Sequence, residues 1–285
     1  MTPEILDTLL PERVYRANPR VVKKPVSKFR SKKLEHRETG KRIKAPTFRI
    51  LTTAFSLNLT VLGYSPEGEI FFNQTVATPR PALLECLKAG LLCNDSNLEV
   101  KNGKWEVVGD PTEGALIAAA NKAGLTQEVL EMPRLDSIPF ESQFQYMATL
   151  HQTDLNKTIY VKGSVETILN RCQQMLDTDG QPIVVNREQI EQEVNNLAKQ
   201  GLRVLAFAKK PVATYQDSLD HPDIETGLIF LGLQGMIDPP RPEAIKAVQA
   251  CQSAGIQVKM ITGDHVVTAQ AIARSIGLKK NRLLA

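Results

Sequence analysis

No run of eighteen or more apolar residues occurs in the sequence, so no segment has the length of a membrane-spanning helix. Met1-Thr2-Pro3-Glu4 lacks the charged-then-apolar order of a secretory signal. The four cysteines, Cys86, Cys93, Cys172 and Cys251, are scattered without metal-ligand spacing and read as reduced core residues in a cytoplasmic setting. Residues 39–66 contain neither aspartate nor glutamate, which excludes a carboxylate nucleophile from that stretch. The basic leading segment has few aromatics and no recognised nucleic-acid motif, so no nucleic-acid partner is expected.

What is present suits a folded body. Hydrophobic residues are 42% and charged residues 23% of 285, enough to bury the core of one large domain or two ordinary ones. The net charge of +4 hides an asymmetry: residues 1–50 hold 14 Lys and Arg against 5 Asp and Glu, and the remainder holds 21 against 26. Prolines and the clusters Lys23-Lys24, Lys32-Lys33 and Lys41-Arg42 make residues 1–48 a poor core-former, expected to be extended or disordered. Such a tail is either simply solvated or suited to an anionic membrane surface or a partner.

The body reads as alternating strands and helices. Thr47 to Tyr64 is β-prone, and Ser65-Pro66-Glu67-Gly68 marks a turn before a strand from Glu69 to Phe72. A helix is predicted from Pro81 to Leu92 and a strand from Trp105 to Val108. A second helix opens at Asp110-Pro111-Thr112-Glu113, where Asp110 caps the N-terminus and Glu113 reaches back to complete a capping box. Ile138-Pro139-Phe140-Glu141-Ser142 precedes a strand from Tyr146 to His151, and Phe140 is either core or a ring on which a base stacks. Further on come a helix from Arg187 to Gln200 closed by Gly201, a strand from Leu202 to Ala208 with Arg203 at its start, and a strand from Leu228 to Met236. A helix from Glu243 to Ala254, a strand from Ile256 to Ile261 and a helix ending at Gly277 have the order of a parallel α/β sheet. Thr262, Gly263 and Asp264 then stand at a strand's carboxyl end, where ligands sit in such sheets.

The stretch Thr158 to Glu166 draws these elements together. A strand ends at Lys162, Gly163 makes the turn, and apolar residues at Val165, Ile168, Leu169, Cys172 and Met175 have helical spacing. An ammonium beside a helix N-terminus suits a phosphate or another anion. The same residues also describe an ordinary strand–helix turn with Ser164 as N-cap.

Seven stretches, in order, resemble the cytoplasmic part of P-type cation-transporting ATPases, in particular the calcium and sodium/potassium branch. They are Cys93-Asn94-Asp95, Gly109-Asp110-Pro111-Thr112-Glu113, Pro139-Phe140-Glu141-Ser142, Lys162-Gly163-Ser164-Val165-Glu166, Gly201-Leu202-Arg203-Val204-Leu205-Ala206, Met236-Ile237-Asp238-Pro239-Pro240-Arg241 and Met260-Ile261-Thr262-Gly263-Asp264-His265. The resemblance covers residues 58–285 and implies an α+β fold: an antiparallel sheet flanked by helices over 59–237, forming a nucleotide-binding domain. It implies an incomplete haloacid-dehalogenase-like α/β piece of a phosphorylation domain over 238–285, after a basic leader at 1–58. By the same resemblance Glu113 lines the nucleotide pocket, Phe140 stacks on adenine, Lys162 with Gly163 forms the pocket floor, and Arg203 reaches the phosphates. Asp238 and Arg241 match the hinge, and Thr262, Gly263 and Asp264 the second phosphate-handling motif. The implied ligand is ATP, as Mg-ATP in the intact family.

Members of that family transfer the γ-phosphate to an aspartate in an Asp-Lys-Thr-Gly-Thr signature. The matching place, Arg49 to Val61, holds no aspartate, and the sequence contains neither the Gly-Asp-Gly-Val-Asn-Asp magnesium loop nor the membrane helices. Gln143-Phe144-Gln145-Tyr146 also lacks the base that follows the stacking ring in the calcium pumps. The expectation is therefore an ATP-binding portion of a cation pump that binds nucleotide without hydrolysing it alone, with no catalytic or metal-binding residue of its own. The alternatives are a non-catalytic ATP-sensing regulator or partner of an intact pump, attached through the basic leader, and, ranked last, a haloacid-dehalogenase-like phosphatase.

Overall fold

The computed structural model describes residues 47–52, 55–60, 64, 71–72, 75–76, 80–101, 103–125, 132–153, 156–237, 240–262 and 266–278. The chain divides into two units, Met1–Arg42 and Ile43–Ala285, and every described residue belongs to the second. Residues 1–46 of the basic leader, the turn expected at 65–68, Asp238, Gly263 and Asp264 lie outside the described residues.

The body is α+β. Its large sheet contains β1 (Thr47–Thr52), β2 (Phe55–Thr60), β3 (Phe71–Phe72), β4 (Thr75–Val76), β7 (Arg134–Glu141), β8 (Tyr146–Gln152), β9 (Lys157–Gly163), β10 (Cys172–Leu176), β11 (Pro182–Val184), β12 (Arg203–Val212) and β13 (Leu228–Ile237). The order is β4-β3-β2-β1-β13-β12-β9-β8-β7, with β10 joined to β13 and β11 to β10. A separate hairpin pairs β5 (Asn97–Lys101) with β6 (Lys104–Val108). Strand structure thus extends to the N-terminal side of residue 59, where β1 runs antiparallel to β13 with Thr47 opposite Ile237. The purely antiparallel expectation needs one amendment. β10 runs parallel to the start of β13, with Cys172 opposite Leu228, which makes the sheet mixed.

Alternation along the central strands sends successive side chains to opposite faces. Met147, Tyr160, Phe207 and Leu231 pack on one face against α1 (Pro81–Leu92) and α2 (Pro111–Lys122). Ala148, Leu150, Val161, Ala206, Ala208 and Phe230 pack on the other face against α3 (Val165–Leu169) and α4 (Arg187–Lys199). Phe207 and Phe230, one on each face, are fully buried, each stabilising the fold by about 1.5–3 kcal/mol relative to exposure. Two further helices, α5 (Pro242–Ser253) and α6 (Val266–Ser275), follow β13. The Thr268 hydroxyl of α6 donates to the Leu202 carbonyl at 3.3 Å.

Four elements differ from the sequence pattern. The helical spacing from Val165 to Met175 yields only the short α3; the chain then turns at Arg171, and Cys172–Leu176 becomes β10 because β13 offers it a parallel partner. Ile138 to Glu141, expected to precede a strand, instead belong to the strand Arg134–Glu141, β7, and Pro139 is tolerated there because β7 is the last strand of the order. Ile256 to Ile261 forms no strand: a parallel strand needs a neighbour, and no described residue pairs with it. Gly163 does not make a left-handed turn but closes β9; a Cβ there would stand 2.5 Å from the Gln145 carbonyl oxygen and 2.9 Å from Tyr146 Cβ.

Candidate functional site

The site is built where α2 meets the end of β9. Asp110 caps α2 as the sequence indicates, its carboxylate accepting from the backbone N–H groups of Thr112 at 2.7 Å and Glu113 at 3.2 Å. Glu113 does not complete a capping box, however. The Asp110 N–H donates to Ser96 Oγ at 2.8 Å instead, which leaves the Glu113 carboxylate to turn toward the sheet. There Oε1 accepts from the Lys162 ammonium, with side-chain exposures of 16% and 7% for Glu113 and Lys162.

The other carboxylate oxygen is held by the segment that follows α1. Oε2 accepts from Ser96 Oγ at 2.8 Å and from the Asp95 N–H at 3.1 Å. Asn94 Nδ2 donates to the Glu113 carbonyl at 3.0 Å and to the Gly90 carbonyl at 3.1 Å, while its Oδ1 accepts from the Ser96 N–H at 2.9 Å. Arg134, the first residue of β7, donates to Asp95 Oδ1 at 2.7 Å, to the Leu92 carbonyl at 3.1 Å and to the Asn94 carbonyl. A half-buried acid and a buried base therefore meet inside a net of hydrogen bonds, as a partly desolvated ion pair requires.

Beside this pair the Cys93 thiol is fully buried and donates to the Met147 carbonyl at 3.3 Å. Burial pushes its pKa up, with Lys162 pulling the other way, so it is a poor nucleophile. His151, two strand positions beyond Thr149 on β8, lies with Nδ1 3.1 Å from the Met132 carbonyl; burial holds its pKa below the usual 6.5. Neither group is exposed enough to act on a bound molecule. Among the described residues no group of three or more His, Cys, Asp or Glu side chains is placed to hold a metal ion.

Phe140, Lys162, Gly163 and Arg203 lie toward one end of the sheet. Glu141, Tyr146, Gly163 and Ala206 stand in register across β7, β8, β9 and β12. Phe140 directly precedes that row, in an irregular stretch of β7, with 58% of its surface exposed. Lys162 directly precedes Gly163 and stands opposite Met147 and Phe207. Arg203, exposed, is three residues before Ala206; the alternation through Leu205 and Phe207 puts it on the same face as Lys162. Arg203 pairs with Met236 near the end of β13, and Arg241, the exposed N-cap residue of α5, follows that strand. Thr262 is exposed before α6. Glu113 and Lys162 are thus in direct contact, with Arg203 on the adjacent strand β12 and Phe140 on β7, beyond the intervening β8.

Serine, asparagine and arginine at 96, 94 and 134 carry much of this geometry, and the sequence offered little to single them out. Cys93-Asn94-Asp95 stands out as a motif, yet nothing in it says which groups hold Glu113. Arg134 follows a Met-Pro pair with no periodic or capping signal. Gln145, in the turn after β7, also escaped: its backbone adopts a positive φ of 59°, and its carbonyl accepts from the Ser164 N–H at 2.9 Å.

Residues 82–243 match the family described as P-type ATPase, cytoplasmic domain N. The chain is similar to the cation-transporting ATPase pma1 of Synechocystis, 61% identical over 225 residues, covering 76% of this chain and 25% of that one. It is similar to the probable cation-transporting ATPase F of Mycobacterium tuberculosis, 41% identical over 239 residues, covering 81% and 26%. It is also similar to the calcium-transporting ATPase of Bacillus subtilis, 37% identical over 225 residues, covering 76% and 25%. The chain spans about a quarter of the length of these relatives.

Proposed function

Because the chain belongs to the P-type cation-transporting ATPases, through their cytoplasmic domain N, we propose that it binds an adenine nucleotide at the sheet end formed by Phe140, Lys162 and Arg203. The observation that carries this reading is the Lys162–Glu113 pair at the end of β9, with an exposed guanidinium on the adjacent β12 and an exposed ring on β7, two strands away, near the same sheet end. These residue types fit ATP: Phe140 offers a stacking face, and the two cations suit phosphate oxygens. Stacking is worth about 1–3 kcal/mol per base in nucleic-acid complexes, so the ring and two cations together support modest affinity. Gly163 permits the close approach of the β7–β8 turn, and Glu113 lines the same pocket. Arg241, Thr262, Gly263 and Asp264 enter as the hinge and second phosphate-handling motif, in a partial phosphorylation domain over 238–285 that follows the nucleotide-binding domain of 59–237. Mg-ATP would supply the γ-phosphate in a whole pump.

The absence of any carboxylate from residues 39–66 supports binding without turnover by this polypeptide alone. Titration with ATP followed by calorimetry tests the binding, and no heat at millimolar nucleotide overturns it. An acid-stable phosphoenzyme formed from labelled ATP overturns the second statement. The charge of residues 1–50 favours a further role for the leader as an attachment to an anionic membrane surface or an intact pump. Removal of residues 1–48 should then abolish sedimentation with anionic vesicles or with pump-containing membranes, and unchanged sedimentation removes that role.

A further inference from the structure

We infer that Arg134 is a positioning residue for the nucleotide site, holding Glu113 against Lys162 through Asp95; this rests on the nucleotide-binding function proposed above. Among the described residues, the groups that fix the Glu113 Oε2 oxygen come from Asp95 and Ser96, and Asn94 holds the Glu113 carbonyl. This three-residue segment lies between the end of α1 and the start of β5, so its own position must be set from outside. Arg134 sets it. One arm of the guanidinium takes the Asp95 carboxylate and the other takes the Leu92 and Asn94 carbonyls at the C-terminal end of α1.

Asp95 is the hinge of this relay. Its side chain faces Arg134 while its backbone N–H faces Glu113, so one residue couples the first position of β7 to the acid of the ion pair. As an isolated ion pair Arg134–Asp95 would count for little, because the side chains are 32% and 57% exposed. Its weight lies in the planar fork, which meets three acceptors at once and favours the negative end of the α1 dipole; a lysine cannot reproduce that. Arg134 also begins the strand that carries Phe140 at its far end, so both polar and aromatic parts of the site depend on the same anchor.

The experiment is ATP binding by the full chain, measured by calorimetry beside thermal unfolding. Arg134→Ala is expected to raise the Kd about five- to tenfold, and Arg134→Lys to restore little of it. Glu113→Gln is expected to weaken binding as well, and the Arg134→Ala/Glu113→Gln double variant to bind no worse than Glu113→Gln alone, as residues acting through one contact do. Arg187→Ala serves as the structural control. Arg187 ties the Leu169 carbonyl at 2.8 Å and the Asn170 side chain on the opposite side of the sheet, so its loss should lower Tm and leave the Kd unchanged. Should Arg134→Ala fail to fold, Asp95→Asn keeps the backbone donor and is expected to raise the Kd about two- to threefold, again without adding to Glu113→Gln. A Kd within experimental error of wild type for Arg134→Ala, or for Asp95→Asn in its place, or full multiplication of its effect with that of Glu113→Gln, overturns the inference while nucleotide binding stands. No ATP binding by the wild-type chain removes both.

Discussion

Lys162 and Glu113 meet as a largely buried ion pair although they come from different elements, the last strand positions of β9 and the first turn of α2. Glu113 has three other donors around it or its carbonyl, whereas among the described residues the Lys162 ammonium donates to Glu113 alone. Removing the lysine therefore leaves a half-buried carboxylate without its counter-charge. Lys162→Met is expected to destabilise the body by about 3 kcal/mol, measured by urea unfolding, and to weaken ATP binding. An unchanged urea midpoint would mean that the pair is not closed in solution.

Phe140 offers the opposite profile. With more than half of its surface exposed it contributes little packing, so Phe140→Ala should shift stability by no more than about 0.5 kcal/mol. If its ring carries the base, the same change should weaken ATP binding by about 1–3 kcal/mol, and Phe140→Trp should restore it. Equal affinities for wild type and Phe140→Ala would place the adenine elsewhere.

Gly163→Ala tests the close approach of β9 to the β7–β8 turn. The new methyl would press on the Gln145 carbonyl and on Tyr146, both backbone-anchored, at a cost of about 1–3 kcal/mol in thermal or urea unfolding. The accompanying shift of the turn should show in amide spectra at Gln145 and Ser164, which share a backbone hydrogen bond. A variant as stable as wild type would show that the turn can retreat freely.

His151 supplies a pH dependence. Burial holds its folded pKa below 6.5, so the folded chain binds this proton less readily than the unfolded chain. Stability should accordingly be full above about pH 6.5 and fall as the pH drops through the folded pKa. The cause is burial, which penalises the charged ring, and the nearby Arg134 guanidinium pushes the same way, while the Met132 and Leu92 backbone oppose it. His151→Phe should flatten the profile between pH 7 and 5, and a profile identical to wild type would assign the loss to another group.

The boundaries of α1 were legible from Pro81 and its leucines, the start of α2 from its Asp110 cap, and the end of α4, to within a residue, from Gly201, because these helices are long enough for periodicity and chemistry to agree. β10 was hidden, since Val165, Ile168, Leu169, Cys172 and Met175 fit a helix locally and only the distant β13 decides for a strand. β7 was hidden by Pro139, a residue acceptable there solely because the strand is at an edge. At the site, the residue types of Glu113, Phe140, Lys162 and Arg203 could be picked from motifs. That Glu113 would abandon its own helix cap for Lys162 could not, because the substitute partner of Asp110 is Ser96, fourteen positions away.

The seam between β1 and β13 has a consequence for synthesis of the chain. Thr47 finds Ile237 about 190 positions later, so this pairing closes one of the longest loops available and belongs among the slow steps of assembly. A ribosome will have released β1 long before its neighbour exists. Until then the early hairpin carries an unsatisfied edge, a point at which a chaperone or another nascent copy would compete with the native partner.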